Sequence, residues 1–89
     1  MRAIVTVIGK DTVGIIAGVC GLLAKRQVNI LDISQTVMQE YFTMIMLVDT
    51  ERCSEPFSAL AEELRAWGET VGLSVRIQHE DIFNAMHRI

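Results

Sequence analysis

Cysteine is scarce in this chain, with two residues among 89, Cys20 and Cys53. They stand far apart and match no metal-ligand or redox spacing, so a disulfide scaffold is excluded. Such usage suits a reducing compartment, and the cytoplasm is the expected location. Cys20 lies in an apolar run and reads as a small core residue. Basic clusters are lacking too: none exceeds Lys25-Arg26, and the net charge is −3. That excludes the electrostatic footprint of a nucleic-acid binder or of a protein held to an anionic membrane. Long apolar runs are absent. The longest, Val13 to Ala24, falls short of the ~20 residues that a membrane span needs. Lys10-Asp11 also breaks the first apolar run too early for a secretory signal. Histidine is rare, limited to His79 and His87 near the end of the chain. No nucleophile–base pair stands out, and no serine sits on a recognisable elbow. The expectation is a protein without catalysis.

What is present is an ordinary globular composition, 51% hydrophobic and 21% charged. One domain is expected over 1–89, with a core at 1–78 and a tail helix at about 80–88. A domain of this length buries only a little over ~60% of the surface that its unfolded chain exposes. Association with a second copy would relieve that shortage, and a homodimer is expected.

Ala3 to Ile8 is short, β-branched and bounded by Gly9, which predicts a strand. After Asp11, apolar residues at Ile15, Ile16, Val19, Leu22 and Leu23 have helical spacing, with Lys25 and Arg26 at the negative end of the dipole. Asn29 to Gln39 and Tyr41 to Asp49 read as two strands joined tightly around Glu40, by a turn of open type. Ser54 and Pro56 mark a second helix start. Phe57, Leu60, Ala61, Leu64, Gly68 and Val71 form its apolar face, and Gly72 ends it. Leu73 to Gln78 alternates strictly, as a half-buried strand does. Asp81 to Arg88 has near-helical spacing of Ile82, Phe83 and Met86.

The first and third strands are apolar on both faces. The second shows Asp32, Ser34 and Thr36 on one face, and the fourth shows Ser74, Arg76 and Gln78. Central strands need two apolar faces more than edge strands do. With right-handed crossovers the predicted fold is therefore α+β: a ferredoxin-like βαββαβ sandwich with antiparallel sheet order 4-1-3-2 and a short C-terminal helix. Both helices lie on one side, leaving an apolar face for a second copy to cover.

Gly9-Lys10-Asp11-Thr12-Val13-Gly14 has the glycine spacing of a phosphate loop, yet Ile15-Ile16 stand where Lys and Ser or Thr belong. Gly14, Gly18 and Gly21 share a face of the first helix with position 25. For Gly18 and Gly21 the expected reason is close packing. Gly14 is expected in the first turn, where its missing side chain leaves amide hydrogens open to a carboxylate. Asp11 either caps this helix or contacts a ligand. Asn29 either eases the turn into the second strand or does the same. His79 and His87, eight residues apart on one helix, are too distant to chelate one ion directly. Both read as residues of a solvated tail helix.

The segment "GKDTVGIIAGVCGLLAKRQVNI" resembles the signature of ACT domains, small ligand-sensing modules of amino-acid metabolism. Asp11, Gly14 and Val28-Asn29-Ile30 carry that likeness, and the element order fits the family's fold. More narrowly, "ILDISQTVM", "YFTMIMLVD" and "EDIFNAMHRI" resemble small standalone ACT proteins. The resemblance implies a regulatory module that binds an amino acid or related metabolite where the first loop of one subunit meets its partner. Asp11 and the backbone of Thr12, Val13 and Gly14 would hold the ligand's polar ends, and Asn29 would reach it from the other chain. No cofactor or metal is implied. Val13 replaces the family's usual proline and Gln27 its usual glycine. Gly9 stands where some ligand-binding members have a polar contact. A ligand-independent subunit that modulates a partner enzyme is the second reading, and an enzyme with an unrecognised site the third.

Overall fold

The computed structural model describes residues 1–10 and 14–81, so the expected tail helix lies almost wholly outside the described residues. The elements run β1 (Arg2–Lys10), α1 (Ile15–Lys25), β2 (Asn29–Met38), β3 (Tyr41–Asp49), α2 (Phe57–Val71) and β4 (Ser74–His79). The sheet order is β2-β3-β1-β4, with every pairing antiparallel. This is the ferredoxin-like arrangement that the two-faced apolar strands predict.

Alternation along the strands decides where the core sits. Ala3, Val5 and Val7 of β1 point to the same face as Met44, Met46 and Val48 of β3, and Val75 and Ile77 of β4 join them. These residues form one cluster with Ile15, Val19 and Leu23 of α1 and Leu60 and Leu64 of α2. The helices thus cover one face of the sheet. The opposite face carries Ile4, Thr6 and Ile8 beside Ile45 and Leu47, and Ile8 and Ile45 are each 47% exposed.

Edge strand β2 departs from simple alternation. The register slips between Ile30 and Asp32, so Leu31 is an extra residue. The slip lets Ile30 and Ile33, three positions apart, both pair with core-facing residues of β3, Val48 and Met46. The turn to β3 is two residues, Gln39 and Glu40, with Gln39 at φ +55°. Positive φ at the first central residue only is the type II′ pattern, where glycine is the usual occupant.

Ion pairs decorate the rim. Arg26, just after α1, reaches Glu55 at 2.7 Å and also Glu63 of α2. Arg2 pairs with Glu80, and Arg65 with Glu62 and Glu69. Their partners hold Glu63, Glu80 and Glu62 below the usual carboxylate range, in each case chiefly through the arginine's hydrogen bond. Folding therefore favours the ionised forms of these groups. That contribution is complete above the unfolded values near ~4 and is lost as pH falls through the lowered folded values. The Arg2 and Arg65 pairs are solvent-exposed and the Arg26–Glu63 pair is only part-buried, so each contributes little. The expected result is a melting temperature that declines modestly below about pH 4. A melting temperature independent of pH there would show that these pairs do not stabilise the fold.

Candidate functional site

Gly14 is the residue from which α1 departs, and its φ of +87° is left-handed. Among the described residues, an added Cβ would meet nothing within 4 Å and no side chain caps the helix start. Gly14 is exposed and carries no side chain over the first-turn amide hydrogens, which have no intrahelical acceptors. One sequence expectation is corrected here. α1 begins at Ile15, so Gly14 precedes the helix in the cap position and is not part of its first turn, and its glycine meets a backbone need as well as a steric one. Asp11, Thr12 and Val13 lie outside the described residues.

Asn29, the remaining predicted site residue, begins β2 and is exposed. It pairs with Asp49, which in turn pairs with Arg2 at the start of β1. Gly14 follows the other end of that strand, where Lys10 pairs with Tyr41. Nine strand residues span roughly 27 Å at ~3.4 Å per residue. One chain therefore does not bring Gly14 and Asn29 together.

Around Asn29 the fold builds a different hollow, of about 710 Å³, lined by Gln27, Val28, Asn29, Asp49, Glu51 and Arg52. Its upper lip is the end of α1. Gln27 donates its amide to Ala24 and Val28 to Leu23, the paired bonds of a Schellman ending, with Val28 and Leu23 both buried. That ending places Gln27 at φ +61°. A non-glycine residue there costs roughly 1–2 kcal/mol. The lower lip is the turn after β3, closed by the Cys53 amide donating to the Thr50 carbonyl at 3.0 Å. Asp49 Oδ1 accepts from the Glu51 amide at 3.0 Å and from the amino group of Met1 at 3.1 Å. These contacts, the amide's first, hold the Asp49 carboxyl below its usual range. Sequence reasoning missed Asp49, Glu51 and Arg52. The one local signal was Gln27, standing where a helix ending favours glycine.

Further hollows lie elsewhere among the described residues. One, of about 700 Å³, runs between α2 and β4 past Arg65, Glu69 and Arg76. Another, of about 270 Å³, is lined by Met1, Thr50, Cys53, Glu55, Phe57, Leu60 and His79. His79 is the last residue of β4, and its ring stacks on Phe57 with centroids 3.8 Å apart. Its Nδ1 is buried without a partner among the described residues. The expectation of a solvated tail-helix histidine is corrected for His79, while His87 lies outside the described residues. The two free cysteines are half-buried and packed against the core. Among the described residues, no helix is long and apolar enough to cross a membrane.

Comparison with known proteins gives these features a setting. The family model of the ACT domain matches residues 2–78. A UPF0237 protein of Clostridium acetobutylicum is 57% identical over 89 residues, covering the whole of both chains. A solved ACT domain protein from Streptococcus pneumoniae superposes with a TM-score of 0.83 at 47% identity, over 93% of each chain. A formyltetrahydrofolate deformylase from Burkholderia mallei superposes over 88% of this chain but 28% of its own, with a TM-score of 0.76 at 16% identity, which shows a shared fold alone. From the match along β1, α1 and the sheet, and from relatives of the same length, the chain belongs to the ACT-domain family of regulatory ligand-binding modules, among its small UPF0237 members.

Proposed function

We propose that this chain senses an amino acid or a related small metabolite at a homodimer interface and thereby regulates a partner enzyme. The observation that carries this reading is the start of α1, where the exposed, left-handed Gly14 puts no side chain over the first-turn amides. In the proposal Asp11 and the Thr12 to Gly14 backbone hold the polar ends of the ligand. Asn29 comes from the second chain, because one chain separates it from Gly14 by the length of β1.

The second copy is favoured by the uncovered sheet face. Ile4, Ile8, Ile45 and Leu47 form its apolar centre, flanked by Arg76 and Gln78 on β4 and Asp32 and Ser34 on β2. An apolar centre within a polar rim is the usual anatomy of a protein interface. The free thiols fit a cytoplasmic setting. In the second reading the same face binds a partner enzyme directly and no ligand is needed.

A thermal-shift screen of the twenty amino acids tests the first reading. At a hundred times its dissociation constant, a ligand stabilises the native state by about 2.7 kcal/mol. For a domain this size that raises the midpoint by on the order of 10 °C or more. Gly14→Asn should keep the fold, since asparagine tolerates the left-handed backbone, yet lose that rise by covering the amides. A rise that survives in Gly14→Asn removes the loop from the site, and no rise with any amino acid removes an amino acid as the ligand. Light scattering after gel filtration tests the dimer, which a stable monomer of 10.0 kDa would refute.

A further inference from the structure

We propose that the hollow at the end of β4 is a binding site for a small uncharged aromatic molecule with one N–H or O–H donor. The donor meets Nδ1 of His79, and the ring lies among Phe57, Leu60, Cys53 and Met1. The hollow sits beside the start of β1, where Thr50 donates its amide to the Met1 carbonyl, at the opposite end of that strand from Gly14. It is additional to the Gly14 loop and does not depend on an amino acid being the ligand there.

A buried polar atom is the first support. Nδ1 of His79 is buried and has no hydrogen-bond partner among the described residues. Such an atom loses hydration without replacement, and native structures rarely leave one in that state. The other polar groups of the lining do not answer it. Thr50 donates its hydroxyl to the Met1 carbonyl at 3.1 Å, and Glu55 is held by Arg26 at 2.7 Å. The Cys53 thiol lines the same hollow without bonding to the ring. The ring proton is assigned to Nε2, so that the buried nitrogen is an acceptor and its missing partner a donor.

Fixed geometry is the second support. The imidazole stacks on Phe57 with centroids 3.8 Å apart and planes 21° from parallel, which sets the direction of Nδ1. His79 ends β4 in register with Ala3 of β1, and Phe57 begins α2. An acceptor held between two regular elements is aimed before any ligand arrives. The lining then selects the ligand. Leu60 is completely buried and Phe57 half-buried, so the floor is apolar. The sulfur atoms of Met1 and Cys53 suit the edge of an aromatic ring. The charges beside the hollow are matched, Glu55 with Arg26 and Asp49 with the Met1 amino group. A charged ligand would therefore lose hydration without gaining a counter-ion. The volume is about 270 Å³, whereas a cavity of about 150 Å³ admits benzene, so one ring or two fused rings fit.

The test is nitrogen–proton correlation NMR of the whole chain, titrated with two matched pairs: phenol with toluene, and indole with benzofuran. The members of each pair are nearly equal in size, and only the first carries the donor. Phenol and indole should shift residues 50–60 and 77–80 at millimolar concentration. Each should bind at least tenfold more tightly than its counterpart, because a site built for a donor rejects the analogue that lacks it. Indole can only donate, so its advantage also fixes the direction of the bond. His79→Phe keeps the stack and removes the acceptor. It should hold the unliganded melting temperature within a few degrees and bring each pair to equal affinity. In Cys20→Ser, saturating indole should slow alkylation of Cys53 at least threefold. Equal affinity within the pairs for the native chain, or a tenfold preference that survives His79→Phe, overturns the proposal. So does the absence of shifts at residues 50–60 and 77–80 with all four compounds, which would mean that the hollow takes water only.

Discussion

Leu64→Ala is expected to cost about 2–5 kcal/mol, a lost side chain plus the cavity it leaves. Leu64 is completely buried at the middle of α2, between Leu60 and Gly68 one turn to either side, in the cluster shared by both helices and the sheet. A domain of this length has roughly 4–13 kcal/mol of stability in total, from ~0.05–0.15 per residue. The substitution therefore removes a large fraction of it. At about 4–8 °C per kcal/mol, the midpoint should fall by some 10 °C or more. Val71→Ala is the control on the same helix, because Val71 is 45% exposed and its truncation should stay within ~0.5 kcal/mol. Urea or thermal unfolding of the pair decides the matter. Equal losses at the two positions would show that α2 does not face the core as described.

Substitution of the helix glycines by alanine is expected to split by sign. At Gly68 a methyl group would lie 2.8 Å from the Leu73 carbonyl oxygen and 2.8 Å from Val75 Cγ2. The oxygen is backbone, so α2 and β4 must separate to admit it, and overpacking of this kind costs roughly 1–3 kcal/mol. A gain of up to ~1 kcal/mol in helix propensity offsets only part of that, so Gly68→Ala should destabilise. Gly68→Leu, with three more carbons at the same place, should leave little folded protein. At Gly18 the neighbour is the Trp67 ring, at 2.4 Å from the added carbon. Because that ring is a half-buried side chain, it can shift, and the loss should be smaller than at Gly68. Gly21 faces open space, so Gly21→Ala should stabilise by up to ~1 kcal/mol. Chemical denaturation of the three alanine variants checks the order. A Gly21 variant as unstable as the Gly68 variant would contradict the packing described for α1.

These glycines also mark how far the sequence reaches. Close packing was expected for both Gly18 and Gly21, since both lie on one stripe of α1, but only Gly18 meets another helix. Which of two residues on one face is touched depends on where α2 crosses, and no local pattern records that. Gly14 behaved similarly. Its open surroundings followed from its place before an apolar helix, while its left-handed backbone depended on the path of the chain from β1 into α1. His79 read as a polar tail residue, because nothing nearby in the chain announces Phe57, 22 positions earlier, as its stacking partner.

By itself, the sequence determined the six elements, the sheet order and the family. Periods of 2 and 3.6 are local, and the two-faced apolarity of β1 and β3 singles them out as central strands. The Gly14 and Val28-Asn29-Ile30 motifs lie in one short stretch, so the family likeness could also be read directly. Tertiary structure alone decided which residues share a site. It placed Gly14 and Asn29 at opposite ends of β1, and it set Asn29 beside Glu51 and Arg52, more than twenty positions away. The physical reason is the β2–β3 register, which returns the chain to its starting level after a full hairpin. The left-handed ending of α1 then turns Gln27 and Asn29 toward the same hollow.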